Sequence, residues 1–140
     1  MSVEKNKEVV HCLLQEVVNQ RNLTLVDEIV VGNCVFHASD GQEVNGTDVV
    51  KQMLTTFFDA FGDFHVTIKD VVGEGDKVAV RFFESGRHEG EFEGISPTGK
   101  DVMWLEMAVF RVVNGKIVEV WTLEDRLSLM RQLGAISLPD

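Results

Sequence analysis

Four ionisable residues in this chain of 140 stand where their types could do chemistry. Glu106 sits between Trp104 and Ala108 in a stretch of alternating apolar residues, so its carboxyl is expected among low-dielectric walls. Burial disfavours the charged form and moves such a group up from its usual ~4.3 towards neutral pH, where a general acid or base works best. The alternative is a strand-edge position or a basic partner for Glu106. His37 ends a short predicted strand, and His88 lies in a glycine-rich run. Either imidazole could assist proton transfer near neutrality, or could instead cap a turn or a ladder edge. Arg81 shares a strand face with Ala79, Phe83 and Ser85, as an anion or carbonyl clamp or as half of an ion pair. Trp104, Phe110 and Thr122 complete the candidate set as contacts for a ligand. No pair of histidines, nor a histidine with a carboxylate, has metal-ligand spacing, and nucleophile, phosphate-loop and dinucleotide motifs are missing from the sequence. Neither metal nor cofactor is expected.

The elements that must position these groups are legible from periodicity. Val9, Val10, Leu13, Leu14, Val17 and Val18 form one helical stripe. A shorter helix, capped by Asn22, carries Leu25, Val26, Ile29 and Val30 up to Gly32. A strand is expected from Cys34 to Ala38, and a third helix from Thr47 to Gly62 with Phe57, Phe58 and Phe61 on its apolar face. The period then changes to two, predicting strands around Phe64 to Lys69, Lys77 to Phe92 (bent at Gly86), Asp101 to Val113 and Lys116 to Glu124. A helix over Leu127 to Leu133 ends the chain's regular structure. Helices segregated from long antiparallel strands argue an α+β fold, a curved sheet wrapped around helices.

Composition narrows the function classes. With 44% hydrophobic and 26% charged residues, the chain can build a core, and residues 1–140 read as a single domain. Thirteen basic against 23 acidic residues give a net charge of −10, which repels phosphate backbones and anionic lipid. No nucleic acid and no membrane partner is expected. Residues 1–7 lack a leader's apolar segment, so a cytoplasmic protein with reduced Cys12 and Cys34 is expected, although one disulfide is geometrically open.

Three runs carry a resemblance. They are Gly75-Asp76-Lys77-Val78-Ala79-Val80-Arg81; then Gly86-Arg87-His88-Glu89-Gly90-Glu91-Phe92-Glu93-Gly94-Ile95-Ser96-Pro97-Thr98-Gly99-Lys100; and Phe110-Arg111 followed by Gly115-Lys116-Ile117, Glu119 and Trp121. In this order they resemble the SnoaL-like polyketide (ester) cyclase branch of the NTF2-like superfamily. The resemblance implies a cone-shaped α+β barrel, a strongly curved and mostly antiparallel sheet around N-terminal helices. It also implies a hydrophobic pocket, frequent dimers, and an Asp helped by a His as acid/base in ring closure without metal or cofactor. Those two positions correspond here to Thr122 and Ala108, so the family's acid/base pair is missing.

Val113-Asn114-Gly115 suits a three-residue hairpin loop with a bulge, which would pair Ala108 with Val120 and Glu106 with Thr122. Trp104, Glu106, Ala108, Phe110, Val118, Val120, Thr122 and Glu124 then share one face. The mapped family positions make that face the cavity side. Two functions are expected from this reading. One is a cofactor-free cyclase, isomerase or lyase acting on a small hydrophobic carbonyl compound through Glu106 with His37 or His88. The other is a non-catalytic small-molecule-binding or interaction module. The opposite face, with Met103, Leu105, Met107, Trp121 and Leu123, is apolar enough to predict a homodimer through the sheet. Leu105→Glu should then be monomeric or insoluble by light scattering, and an unmodified protein that is monomeric at micromolar concentration would mean the chain covers this face itself.

Overall fold

Four period-two stretches and two shorter segments before them build six strands, and the computed structural model describes them within residues 2–137 and 139. Helix α1 (Val3–Cys12) runs straight into a π-helical segment (Leu13–Asn19), followed by a 3₁₀ turn (Leu23–Leu25) and α2 (Val26–Ile29). Then come β1 (Val30–His37), β2 (Glu43–Asn45), α3 (Thr47–Ala60), β3 (Phe61–Glu74), β4 (Lys77–His88), β5 (Asp101–Val113), β6 (Lys116–Glu124) and α4 (Arg126–Gln132). The strand order is β2-β1-β6-β5-β4-β3, with β1 and β6 parallel and every other neighbour antiparallel. This is the expected α+β architecture.

Boundaries differ from expectation where β-branched residues meet a helix end. The second helix stops at Ile29, and Val30, Val31 and Gly32 already belong to β1. Paired β-branched residues gain more from a ladder than from another helical turn. The strand β2 was hidden in the sequence because three residues show no period. The third helix ends at Ala60, two residues before its expected glycine stop, and Phe61 enters β3 directly.

The β5–β6 hairpin also differs. Asn114 and Gly115 both have positive φ, at 50° and 77°, which makes a two-residue loop with Val113 opposite Lys116. Beyond Val112 and Ile117 the register shifts, with Arg111 opposite Glu119, so Val118 is the extra residue of a bulge. Ile117 therefore faces the core, fully buried. Further along, Ala108 lies opposite Thr122 and Glu106 opposite Glu124, two residues from the expected pairing.

The concave face of the sheet packs on the N-terminal helices and α3. One end is filled by Phe57, Phe61, Phe64, Phe92 and Trp104, with ring centroids 5.2–6.5 Å apart. The glycine-rich run closes this end by tight backbone contacts. A Cβ on Gly86 would stand 2.7 Å from that of Phe61, and one on Gly90 would overlap the Asp59 carbonyl. The two halves of the run are tied together: His88 N–H donates to the Lys100 carbonyl, Gly99 N–H to the His88 carbonyl, and Thr98 N–H to His88 Nδ1 at 3.2 Å. Gly90→Ala must move backbone, at a cost of about 2 kcal/mol. Gly32 has open space and should accept alanine within about 0.5 kcal/mol. Thermal denaturation of the two variants checks the contrast, with a fall of roughly 5 °C expected for Gly90→Ala alone.

Candidate active site

Between the concave sheet face, the π-helical segment and α3 lies a cavity of about 580 Å³. That volume suits a small organic molecule. Leu13, Leu14 and Val18 wall it from the π-helical segment, Val50, Met53, Leu54 and Phe57 from α3, and Phe36, Phe64, Val66, Phe82, Phe110 and Val120 from the sheet. Asn19 holds the segment against the sheet, donating to the Val66 carbonyl at 2.9 Å and accepting from Val66 N–H at 2.7 Å.

Into this apolar space three neighbouring strands each send one carboxyl. Alternation carries Val78, Val80, Phe82 and Glu84 inward on β4, Trp104, Glu106, Ala108 and Phe110 inward on β5, and Val120, Thr122 and Glu124 on β6. Phe82 opposes Glu106, Glu84 opposes Trp104, and Glu106 opposes Glu124. Carboxyl oxygens of Glu84, Glu106 and Glu124 consequently lie within 4.8 Å of one another. The cluster offers oxygen donors only, so a metal here would have to be a hard cation held without imidazole or thiolate.

Burial dominates the electrostatics. Desolvation pushes Glu106 up to about 7, eased by its hydrogen bond to Glu84 and reinforced by Glu124. Glu106 is enclosed by protein yet keeps some accessible surface, because that surface faces the cavity. Glu84 is 5% exposed and is raised well above the ordinary carboxylate range by desolvation, then by the charge and hydrogen bond of Glu106. Two ionised carboxylates are acceptor-only, so these two can bond to each other only while one of them carries a proton. Glu84 Oε1 is left without a partner. The Trp104 indole pulls Glu84 weakly the other way, but its Nε1 completes no hydrogen bond of ordinary geometry, so the raised state prevails.

At the cavity's edge Arg126 reaches Glu124 at 3.1 Å and also pairs with Glu93 of the 89–100 loop. The ladder ends where Asp125 N–H donates to the Leu105 carbonyl, and the Asp125 side chain then caps α4 through Ser128 N–H. That turn aims Arg126 back across the strand end. Glu124 is raised by burial, with Arg126 opposing the shift.

Of the residues singled out from sequence, Glu106, Phe110 and Thr122 line the cavity. The others do not. Trp104 is buried in the aromatic cluster behind it. His88 is fully buried with its Nδ1 on Thr98, facing Phe61 rather than the cavity. His37 lies on the other sheet face, stacked on Trp121 and bonded to Glu119 at 2.7 Å, because the last residues of β1 turn that parity outward. Its bond, with help from Arg111, holds Glu119 below the usual carboxylate range. Arg81 is likewise on the outer face, 2.6 Å from Asp70, since odd positions of β4 point away from the core. Glu84, Glu93, Glu124 and Arg126 are the site residues sequence reasoning missed. Glu84 had a signal: it is the polar member of an otherwise apolar inward alternation.

Raised carboxyl values mean that the folded chain binds more protons than the unfolded one between about pH 4.5 and 7. This stabilisation is complete below the unfolded value and is lost as pH rises through the folded one. The melting temperature should therefore fall from pH 5 to pH 8. Glu106→Gln should flatten that slope and melt roughly 5 °C above the parent at pH 8. Differential scanning calorimetry across the range checks both.

The comparisons agree with this geometry. The SnoaL-like polyketide cyclase family matches residues 8–133. AclR, a proposed hydroxylase from Streptomyces galilaeus, is similar in structure at a TM-score of 0.88 and 28% identity, covering 99% of this chain and 87% of its own. IdmH, a proposed polyketide cyclase from Streptomyces antibioticus, is similar at 0.82 and 28%, covering 92% and 98%. A proposed polyketide cyclase from Bacillus cereus follows at 0.78 and 27%, covering 98% and 87%. No curated protein matches. With nearly its whole length matched and its cavity built on the same curved sheet, this chain belongs to the SnoaL-like polyketide cyclase family.

Proposed function

We propose that this protein is a cofactor-free acid/base enzyme, a cyclase, isomerase or lyase, acting on a small hydrophobic carbonyl compound in the cavity. The observation that carries this reading is the clustering of Glu84, Glu106 and Glu124 in an apolar cavity, their carboxyl oxygens within 4.8 Å of one another, where desolvation raises Glu84 and Glu106. Glu106, the less enclosed of the two and the one that keeps surface towards the cavity, serves as base and takes a proton from the carbon next to the substrate carbonyl. The electron pair moves onto the carbonyl oxygen, where the proton on Glu84 stabilises it. The resulting enol then attacks a second carbonyl carbon of the same molecule, whose C=O π pair takes the proton held by Glu106 while the enol oxygen returns its proton to Glu84, or it recovers a proton from Glu106 at a different carbon. Ala108 and Thr122, the positions corresponding to the family's His and Asp, face each other one inward pair along the ladder from Glu106 and Glu124. The acid/base function thus moves along the hairpin without leaving the cavity.

The second reading is a binding protein without turnover, favoured by the alanine and threonine at those two positions. For the outer sheet face, a homodimer remains our proposal: Val72, Met103, Met107 and Leu123 are 49–65% exposed. No described helix is long and apolar enough to cross a membrane.

Deuterium exchange at the α-carbons of 2-tetralone in D₂O, followed by proton NMR, tests the base. Exchange should exceed the buffer rate, rise with pH through about 7, and level off as Glu106 ionises. Glu106→Gln should reduce it at least about 100-fold. Exchange no faster than buffer favours the binding reading; exchange indifferent to Glu106→Gln places the base elsewhere.

A further inference from the structure

We propose that the ligand of this cavity carries a protonated amine, its ammonium group seated among the cavity-facing carboxyl oxygens of Glu84, Glu106 and Glu124 and its apolar body against Phe57, Phe64 and Phe110. The inference deepens the acid/base reading and rests on the cavity being the ligand site. Three observations carry it. Glu84 is nine-tenths buried and lines the cavity, while its Oε1 is closed off from the cavity on the side of Trp104, its cross-strand neighbour, and has no donor in ordinary geometry. Of the three carboxyls, Glu124 accepts from Arg126, whereas Glu84 and Glu106 have no N–H donor in ordinary geometry among the described residues, and buried acceptors left empty are costly.

The charge around the cavity is one-sided. Asp40 from the β1–β2 turn, Glu84 from β4, Glu93 from the 89–100 loop, Glu106 from β5 and Glu124 from β6 line it, against Arg126 of α4 alone among the described lining residues. Arg126 is already shared between Glu93 and Glu124, which leaves no uncommitted cation for an anionic ligand. Finally, the walls are aromatic and aliphatic, which suits a desolvated organic cation better than a hydrated metal ion.

An ammonium at this point takes the place of the proton carried by the Glu84 and Glu106 pair. Its three N–H groups reach carboxyl oxygens that already lie within 4.8 Å of one another. Binding must then release a proton, because ionised carboxyls replace a protonated pair. In an amine-bearing ketone the ligand's own charge assumes the part of the Glu84 proton, while Glu106 remains the base.

Three probes of one shape separate charge from size: 1-naphthylmethylamine, 1-naphthalenemethanol and 1-naphthoate, titrated calorimetrically into the intact protein at pH 8 and pH 6. The amine is expected to bind at least tenfold tighter than the alcohol at pH 8, and the naphthoate at least tenfold weaker than the alcohol. The amine's advantage should shrink several-fold at pH 6, and its apparent heat should differ between phosphate and Tris in the sense of proton release. Glu84→Gln should erase the amine's advantage and leave the alcohol's affinity within about threefold. Equal or tighter binding of the alcohol, no binding of the amine at millimolar concentration, or an amine advantage that survives Glu84→Gln overturns the proposal. So does Mn²⁺ alone binding stoichiometrically to the cluster and excluding the amine. The probes report equilibrium binding only, so a failed charge preference with intact ketone exchange removes the amine and spares the acid/base reading.

Discussion

Two carboxyl groups held against each other inside an apolar cavity are the constraint around which this molecule is organised. Neither can ionise without losing water that the walls do not replace, and both cannot ionise at once. Desolvation therefore raises both Glu84 and Glu106, and their protonation sets the charge, the hydrogen-bonding capacity and the acid/base character of the cavity. Arg126 moderates the arrangement from the edge by engaging Glu124 and Glu93. A stability cost at a site of this kind is the usual mark of function rather than of packing.

The scaffold tolerates such a cost because its other end is rigid. Gly86 and Gly90 let strands and helix end approach more closely than a side chain would permit. His88 and Thr98 join the two ends of the glycine-rich run. The longest motif that carries the resemblance is thus a structural closure, whereas Ala108 and Thr122, which the resemblance matches to the family's acid/base pair, lie in or beside the cavity. Resemblance in the scaffold motif and divergence in the cavity are compatible, since a fold supports many chemistries by changing the residues it presents inward.

The sheet also separates two kinds of polar chemistry by parity. Inward carboxyls are desolvated and raised; outward groups such as His37, Glu119 and Arg111 pair with each other at the surface, and Glu119 is lowered. Identical side-chain types acquire opposite behaviour from one step along a strand. The histidines, attractive from sequence for their neutral titration range, fall on the wrong side of this division or behind the aromatic cluster.

Alternation and local chemistry in the sequence were sufficient for the long strands, the helical stripes, the α+β class and the inward position of Glu106, because periods of two and 3.6 are properties of single elements. They also placed Glu106 and Glu124 on one face of the β5–β6 hairpin, though not opposite each other, and did not single out Glu84. Lateral alignment decided that, and it depends on the two-residue Asn114-Gly115 loop and on the extra residue at Val118, which together move Glu106 from Thr122 to Glu124. The side of β1 and β4 that turns inward, and hence the exclusion of His37 and Arg81, was settled by where the helices pack. The raised pair of Glu84 and Glu106 exists only once the strands lie side by side, since it arises from a distance between chain segments 22 residues apart and from the water both must lose.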